Sequence, residues 1–199
     1  MINEAKTITS KAELRRQQIL DAAAECFRKS GFHGASMSEI AKSFGMSAGH
    51  IYNYFESKEA IIEAMVKRDL DQALERIAKI QGEKDILKAM LGTVDEGVKR
   101  RIDRSELDTE ILAEAARNPK IAATVQGTDE VIREKVTQLI KGIQPLKDSP
   151  PCELNLAAKS TILMALFDGL QIRAIRDPHM KADDIARVLK SVIQQMLQS

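Results

Sequence analysis

Cysteine, proline, glycine and aromatic residues are all scarce in this chain of 199 residues, which has Cys 2, Pro 5, Gly 10, Phe 5, Tyr 2 and no Trp. So little glycine and proline excludes collagen-like repeats and argues against disorder and turn-rich all-β architectures. Cys26 and Cys152 cannot build a disulfide framework and have no metal-ligand spacing, so a reducing, cytoplasmic setting is expected. No apolar run approaches the roughly 18 residues of a membrane span, so no membrane partner is expected. Met1 to Ser10 is polar and lacks the apolar segment of a secretory signal. An excess of one charge is missing too. The 30 Lys and Arg against 29 Asp and Glu leave +1, which excludes a polycation but not DNA binding, for which a local basic surface suffices.

Catalytic patterns are also absent. His33, His50 and His179 form no nucleophile or metal motif with either cysteine, and there is neither a G-x-S-x-G elbow nor a phosphate loop. Glu110 and Glu114 stand four apart without a histidine motif beside them. No enzyme activity, metal or cofactor is expected.

What the chain does have is helical periodicity, and the fold class expected is all-α. Ile19, Ala23, Cys26 and Phe27 recur at helical spacing over 11–30, and Gly31 is a natural stop. Ser36 and Glu39 form an S-x-x-E capping box that opens a short helix ending near Phe44 and Gly45. Ser47 opens a second short helix to Tyr54 or Phe55, and Ser57 a long third one reaching about Ile80. Further helices are expected over 84–102, which carries the interior glycines Gly92 and Gly97, and over 105–117, 118–143, 152–176 and 182–198, with a proline-bearing loop at 144–151. Ser105 is the cap expected for the second of these, and Gly127 an interruption of the third. Six of the seven aromatic residues fall between Phe27 and Phe55, and only Phe167 lies outside, which predicts two units with separate cores. The expected division is a small head over 11–58, with its motif at 36–55, and a larger helical domain over 59–199.

Residues 36–55 carry the chemistry. A capped helix, a glycine turn and a second capped helix, with Ile40, Ala41, Met46, Ile51 and Phe55 at the apolar contacts, form a helix-turn-helix. Such a unit offers the start of its second helix to the major groove. The pattern Ser36, Ile40-Ala41, Phe44-Gly45-Met46-Ser47, Ile51-Tyr52-x-Tyr54-Phe55 and Lys58-Glu59 resembles the DNA-binding signature of TetR/AcrR-type transcriptional regulators. The preceding Ile19-Leu20, Ala22-Ala23, Phe27 and Gly31-Phe32 are similar to that family's first helix. The stretch Glu114-x-x-Arg117-Asn118-Pro119-x-Ile121-Ala122 resembles segments of its regulatory domain.

Each residue of the head also has a plain structural reading. Ser47 caps, and its hydroxyl or amide can also meet a phosphate. Ala48 and Gly49 are small enough for close approach; Gly49 costs roughly 1 kcal/mol against Ala inside a helix, which hints at such an approach, and the plain alternative is that a first turn tolerates glycine cheaply. His50 and Asn53 project away from Ile51 and Phe55 and are the candidates for base edges; the plain alternative is ordinary surface. Tyr52 and Tyr54 are expected to place their rings in the core and their hydroxyls on phosphates. Lys58 opposes its own helix dipole, which makes sense beside a phosphate. Ser36 and Ser38 can donate to phosphates. Arg15 and Arg16 are either a solvated face or, as the resemblance implies, backbone contacts.

The resemblance implies that the last two helices pair across a two-fold axis. Ala158, Ile162, Ala165, Gly169, Ile185, Val188, Leu189, Val192 and Met196 are the candidates, and packing within one protomer is the alternative. It further implies a ligand-responsive repressor, a homodimer on a palindromic operator of double-stranded DNA, released by a small-molecule effector. Candidate effector contacts are Met65, Met90, Leu112, Met164, Phe167, Asp168 and Gln171, although methionines at helical spacing more often fill a core and structural pairing with arginines is the alternative for Asp168 and Gln171. The long third helix joins head and effector domain and is the lever by analogy. The competing reading is a helical adaptor that binds no operator.

Overall fold

A computed structural model describes residues 11–143 and 153–198. Among these residues every regular element is helical, in the order α1 (Lys11–Gly34), α2 (Met37–Ser43), α3 (Ala48–Ile51), α4 (Lys58–Gln81), α5 (Ile86–Gly92), α6 (Val94–Asp103), α7 (Ser105–Ala115), α8 (Pro119–Ile143), α9 (Glu153–Arg176) and α10 (Ala182–Gln198). None of these helices is long and apolar enough to cross a membrane. The chain divides into two compact units, Met1–Met65 and Val66–Ser199. That division falls inside α4, further along than the boundary expected at 58.

Local signals build the first unit. Gly31 breaks α1 with φ 70°, a backbone conformation that side chains disfavour. The chain then turns into the capping box. The Ser36 amide donates to Glu39 Oε2 at 2.7 Å, and the Glu39 amide donates to Ser36 Oγ at 3.1 Å. Gly45, at φ 73°, makes the turn into α3. Beyond Ile51 the helical bonding persists for a turn, since the Phe55 amide reaches the Ile51 carbonyl at 3.0 Å. Ser57 Oγ accepts from the Ala60 amide at 3.2 Å and opens α4. Ile19, Phe27, Ile40, Ala41, Ile51 and Ile61 are fully withdrawn from water. Each large side chain among them contributes about 1.5–3 kcal/mol.

The second unit departs from expectation in its middle. The single helix expected over 84–102 is two. Asp85 caps α5 by accepting from the Lys88 amide at 2.9 Å, and Thr93 ends it, its hydroxyl donating to the Met90 carbonyl at 2.8 Å. Ser105 does not cap α7. Arg104 holds that position, while Ser105 is buried in the first turn and its carbonyl accepts from Thr109 at 2.7 Å. Gly127 does not interrupt α8. The loop expected at 144–151 and Cys152 lie outside the described residues. The core joins Val94 and Val98 of α6, Leu139 and Ile140 of α8, Leu156 and Leu163 of α9, and Leu189, Ile193 and Leu197 of α10. Phe167 packs against α6 at Gly97, where a Cβ would stand 3.1 Å from its Cε1.

Candidate nucleic-acid interface

Helix α3 is a face with a floor. Ile51 and Phe55 are buried beneath it, whereas Ser47, Ala48, Gly49, His50, Tyr52 and Asn53 are exposed. The floor is fixed by Ile40 and Ala41 of α2, both fully buried. Beyond its chain neighbours and its own helix backbone, Gly49 has nothing within 4 Å of where a Cβ would stand. Packing within the chain therefore does not require glycine there. His50 stacks on Tyr54 with centroids 6.0 Å apart and planes 10° from parallel. Tyr52 departs from expectation: the residue is 54% exposed rather than in the core. Ser47 stands at the N-cap of α3 without a side-chain cap bond, which leaves its hydroxyl on the surface.

The cations around this face differ in their freedom. Arg15 is exposed, with its guanidinium 5.4 Å from the Phe44 centroid. Arg16 is half-buried. It donates to the Tyr54 carbonyl at 2.7 Å and covers the Phe55 ring at 4.3 Å. Lys58 donates to the carbonyls of Phe32 at 2.6 Å and Ala35 at 2.7 Å and lies 4.6 Å from the Phe32 centroid. Those carbonyls end α1 and its turn, so they supply the negative partner that a cation in the first turn of α4 otherwise lacks. Ser36 is committed to its capping box, while Ser38 is exposed. Hydrogen bonding to Ser36 lowers the Glu39 pKa from its ordinary 4.5.

The geometry is that of a helix-turn-helix with an open second helix, and comparison with known proteins decides what carries it. Residues 19–65 match the model of bacterial regulatory proteins of the tetR family, and residues 83–198 match that of the BetI-type transcriptional repressor C-terminal region. The chain belongs to the TetR family. Among its relatives, the HTH-type transcriptional regulator UidR of Escherichia coli (strain K12) is 33% identical over 89% of this chain and 87% of that protein. Salmonella enterica GusR superposes with a TM-score of 0.72 at 26% identity, over 94% of this chain and 97% of that one. The regulator FadR from Bacillus subtilis, solved with stearoyl-CoA, shares the fold at TM-score 0.71 and 19% identity, over 91% and 97% of the two chains. The protein is thus a DNA-binding transcriptional regulator and not an enzyme, and the adaptor reading is not favoured. TetR-family regulators are typically dimeric and ligand-responsive.

In the regulatory unit of this TetR-family chain, three candidate effector residues meet at α6. Phe167 lies on Gly97, Asp168 pairs with Arg101 at 3.1 Å, and the buried Gln171 accepts from Arg101 at 3.4 Å. Met90 is turned into the core, Leu112 is exposed on α7, Met164 is half-buried, and Met65 lies on the other side of the chain's division. The arginine pairing weighed for Asp168 and Gln171 is found at Arg101, but the sequence reading named neither that residue nor the charges around it: Asp69, Arg76, Arg100, Arg104 and Asp108. The Lys99-Arg100-Arg101 run was the one available signal.

The candidate interface residues separate cleanly. Ala158, Ile162, Ala165 and Gly169 form one exposed stripe on α9, and Val188 and Val192 are exposed on α10. Leu189 instead is buried in its own protomer, with Ile185 and Met196 packed against the same core. Their positions on α10 turn them toward α5, α6 and α9.

Proposed function

We propose that the protein is a homodimeric repressor of the cytoplasm that holds a palindromic operator with α3 and releases it when a small molecule occupies the second unit. The observation that carries this reading is the open face of α3, with Ile51 and Phe55 buried under it. Asn53 and His50 read base edges. Ser36, Ser38, Ser47, Tyr52, Tyr54, Arg15, Arg16 and Lys58 supply or support phosphate contacts, and Ala48 and Gly49 let the helix come close. Exposed Ile162, Val188 and Val192 form an apolar face that a second copy covers. Half-sites about 34–36 Å apart, or somewhat more, fit such a pair. Phe167, Asp168 and Gln171 face the effector, and α4 runs unbroken from the head into the second unit.

Fluorescence anisotropy on duplexes from the DNA flanking its own gene tests this. A steep salt dependence, with one palindromic sequence bound at least ~10³-fold above random duplex, is the expected result. Equal affinity for all duplexes would remove the operator from the reading.

A further inference from the structure

Resting on the reading of the second unit as an effector site, we propose that this site takes an anion: a carboxylate- or phosphate-bearing small molecule that docks on Arg76 and Arg100. Three carboxylates stand in the cluster, and all three are already in contact with two other guanidiniums. Arg104 holds Asp69 at 2.6 Å and Asp108 at 3.2 Å. Arg101 holds Asp168 at 3.1 Å and lies 3.8 Å from Asp108. Arg100, next to Arg101 on α6, and Arg76 on α4 have no ion pair or hydrogen bond among the described residues. Both are half-buried.

Arg100 is crowded by its own kind. Burial, and then the positive charges of Arg76, Arg101 and Arg104, bring its pKa down to about 10, with Glu96 alone opposing. Burial also lowers that of Arg76, against the fields of Glu96, Asp69 and Glu75. Glu96 and Glu75 are exposed and touch neither arginine. Both guanidiniums therefore remain charged at neutral pH, partly stripped of water, with no anion in contact. That arrangement destabilises a protein unless something else supplies the anion. The guanidinium fork fits planar carboxylate and tetrahedral phosphate oxygens alike. Phe167, lying on Gly97 one turn before Arg100 and Arg101, provides an apolar neighbour for the body of the molecule.

The test uses the full chain with four matched probes: hexanoate, hexyl phosphate, hexanol and hexylammonium. Melting temperature and operator anisotropy are read together, up to about 10 mM probe. One or both anions stabilise the protein saturably, and Arg100→Met and Arg76→Met each weaken that effect at least ~tenfold, whereas Arg28→Gln, on the other unit, does not. Which anion binds tighter distinguishes carboxylate from phosphate. The proposal is overturned if hexanol or hexylammonium binds as tightly, if neither anion binds saturably, or if Arg100→Met binds like the parent. A second measurement needs no probe. Arg100→Met raises the melting temperature of the ligand-free protein by about 2–4 °C, because an uncompensated cation is removed, while Arg104→Met lowers it. A fall with Arg100→Met would mean the guanidinium has a structural partner and also overturns the proposal. Operator anisotropy separates the two readings. Release by an uncharged probe keeps the effector site and removes the anion from it; an anion bound through Arg100 that leaves the operator complex intact does the reverse.

Discussion

Arg16 of α1 donates from Nη1 to the backbone carbonyl of Tyr54 at 2.7 Å. The bond ties the first helix of the head to the turn that follows α3, across 38 residues of sequence. The same guanidinium covers Phe55. A side chain placed in this way positions the reading helix whether or not it also meets a phosphate. Arg16→Ala is expected to lower head stability by about 1–3 kcal/mol and to weaken all DNA sequences alike. Urea denaturation and anisotropy on specific and random duplexes check it. Altered sequence preference with unchanged stability would contradict the positioning role.

Lys58 makes the corresponding tie at the other edge of the head. Its ammonium bridges the carbonyls of Phe32 and Ala35, groups left open where α1 ends. Lys58→Met keeps the aliphatic stem over Phe32 but loses both bonds, and should cost about 1–3 kcal/mol. If the ammonium serves only these carbonyls, the salt slope of DNA binding stays that of the parent. A slope reduced by about 1 would instead place a phosphate beside it.

Much of the head was legible because its determinants are local. The Ser36 capping box, the Gly31 break and the Gly45 turn are all settled within four residues of sequence. The second unit was less legible because its determinants are distant. Thr93 ends α5 directly after Gly92, but Gly97 lies inside α6 without breaking it, so an interior glycine alone does not mark the boundary, and the hydroxyl bond to Met90 leaves no compositional mark. Arg104 meets Asp69 across 35 residues, and Arg101 meets Gln171 across 70, spacings that no periodicity reveals. Leu189 looked outward because α10 is apolar on a broad arc, and only packing decides which part of that arc faces inward.

Two carboxylates pull stability in opposite directions with pH. Hydrogen bonds from Ser36 hold the Glu39 pKa below its ordinary 4.5, so its contribution is present above that value and is lost as pH falls through the folded-state pKa. Burial raises the Asp69 pKa above its ordinary 3.8, against the attraction of Arg104. Between 3.8 and that raised value the folded state binds more protons than the unfolded one, so stability falls as pH rises through the window. Glu39→Gln should therefore flatten the acid loss below pH 4.5, and Asp69→Asn should remove the decline above pH 3.8. Melting temperatures from pH 3 to 7 for parent and variants are the measurement. Parallel curves would refute both assignments.

The exposed valines of α10 provide a test of pairing that does not involve the core. Val188 is 64% exposed and Ile162 on α9 54%, so charge at either position disturbs nothing inside the protomer. Val188→Lys and Ile162→Glu should each shift the protein from dimer to monomer in light scattering. Helicity should be unchanged, and operator affinity should fall at least ~10²-fold as avidity is lost. A dimer that survives both substitutions would place the two-fold axis on another face.

Gly49 separates the demands of folding from those of DNA. Beyond its chain neighbours and its own helix backbone, a Cβ there meets nothing within 4 Å, and the residue lies in α3, where alanine is the better helix former. Gly49→Ala is thus expected to stabilise the free protein, by up to about 1 kcal/mol. The same methyl stands on the exposed face between Ser47 and His50, where the proposed docking brings the duplex close. Operator affinity should fall while melting temperature rises, an opposition that simple misfolding cannot produce. If alanine raises stability and leaves affinity untouched, the helix does not sit as near the duplex as its small residues imply. The groove contact then passes to His50 and Asn53 alone.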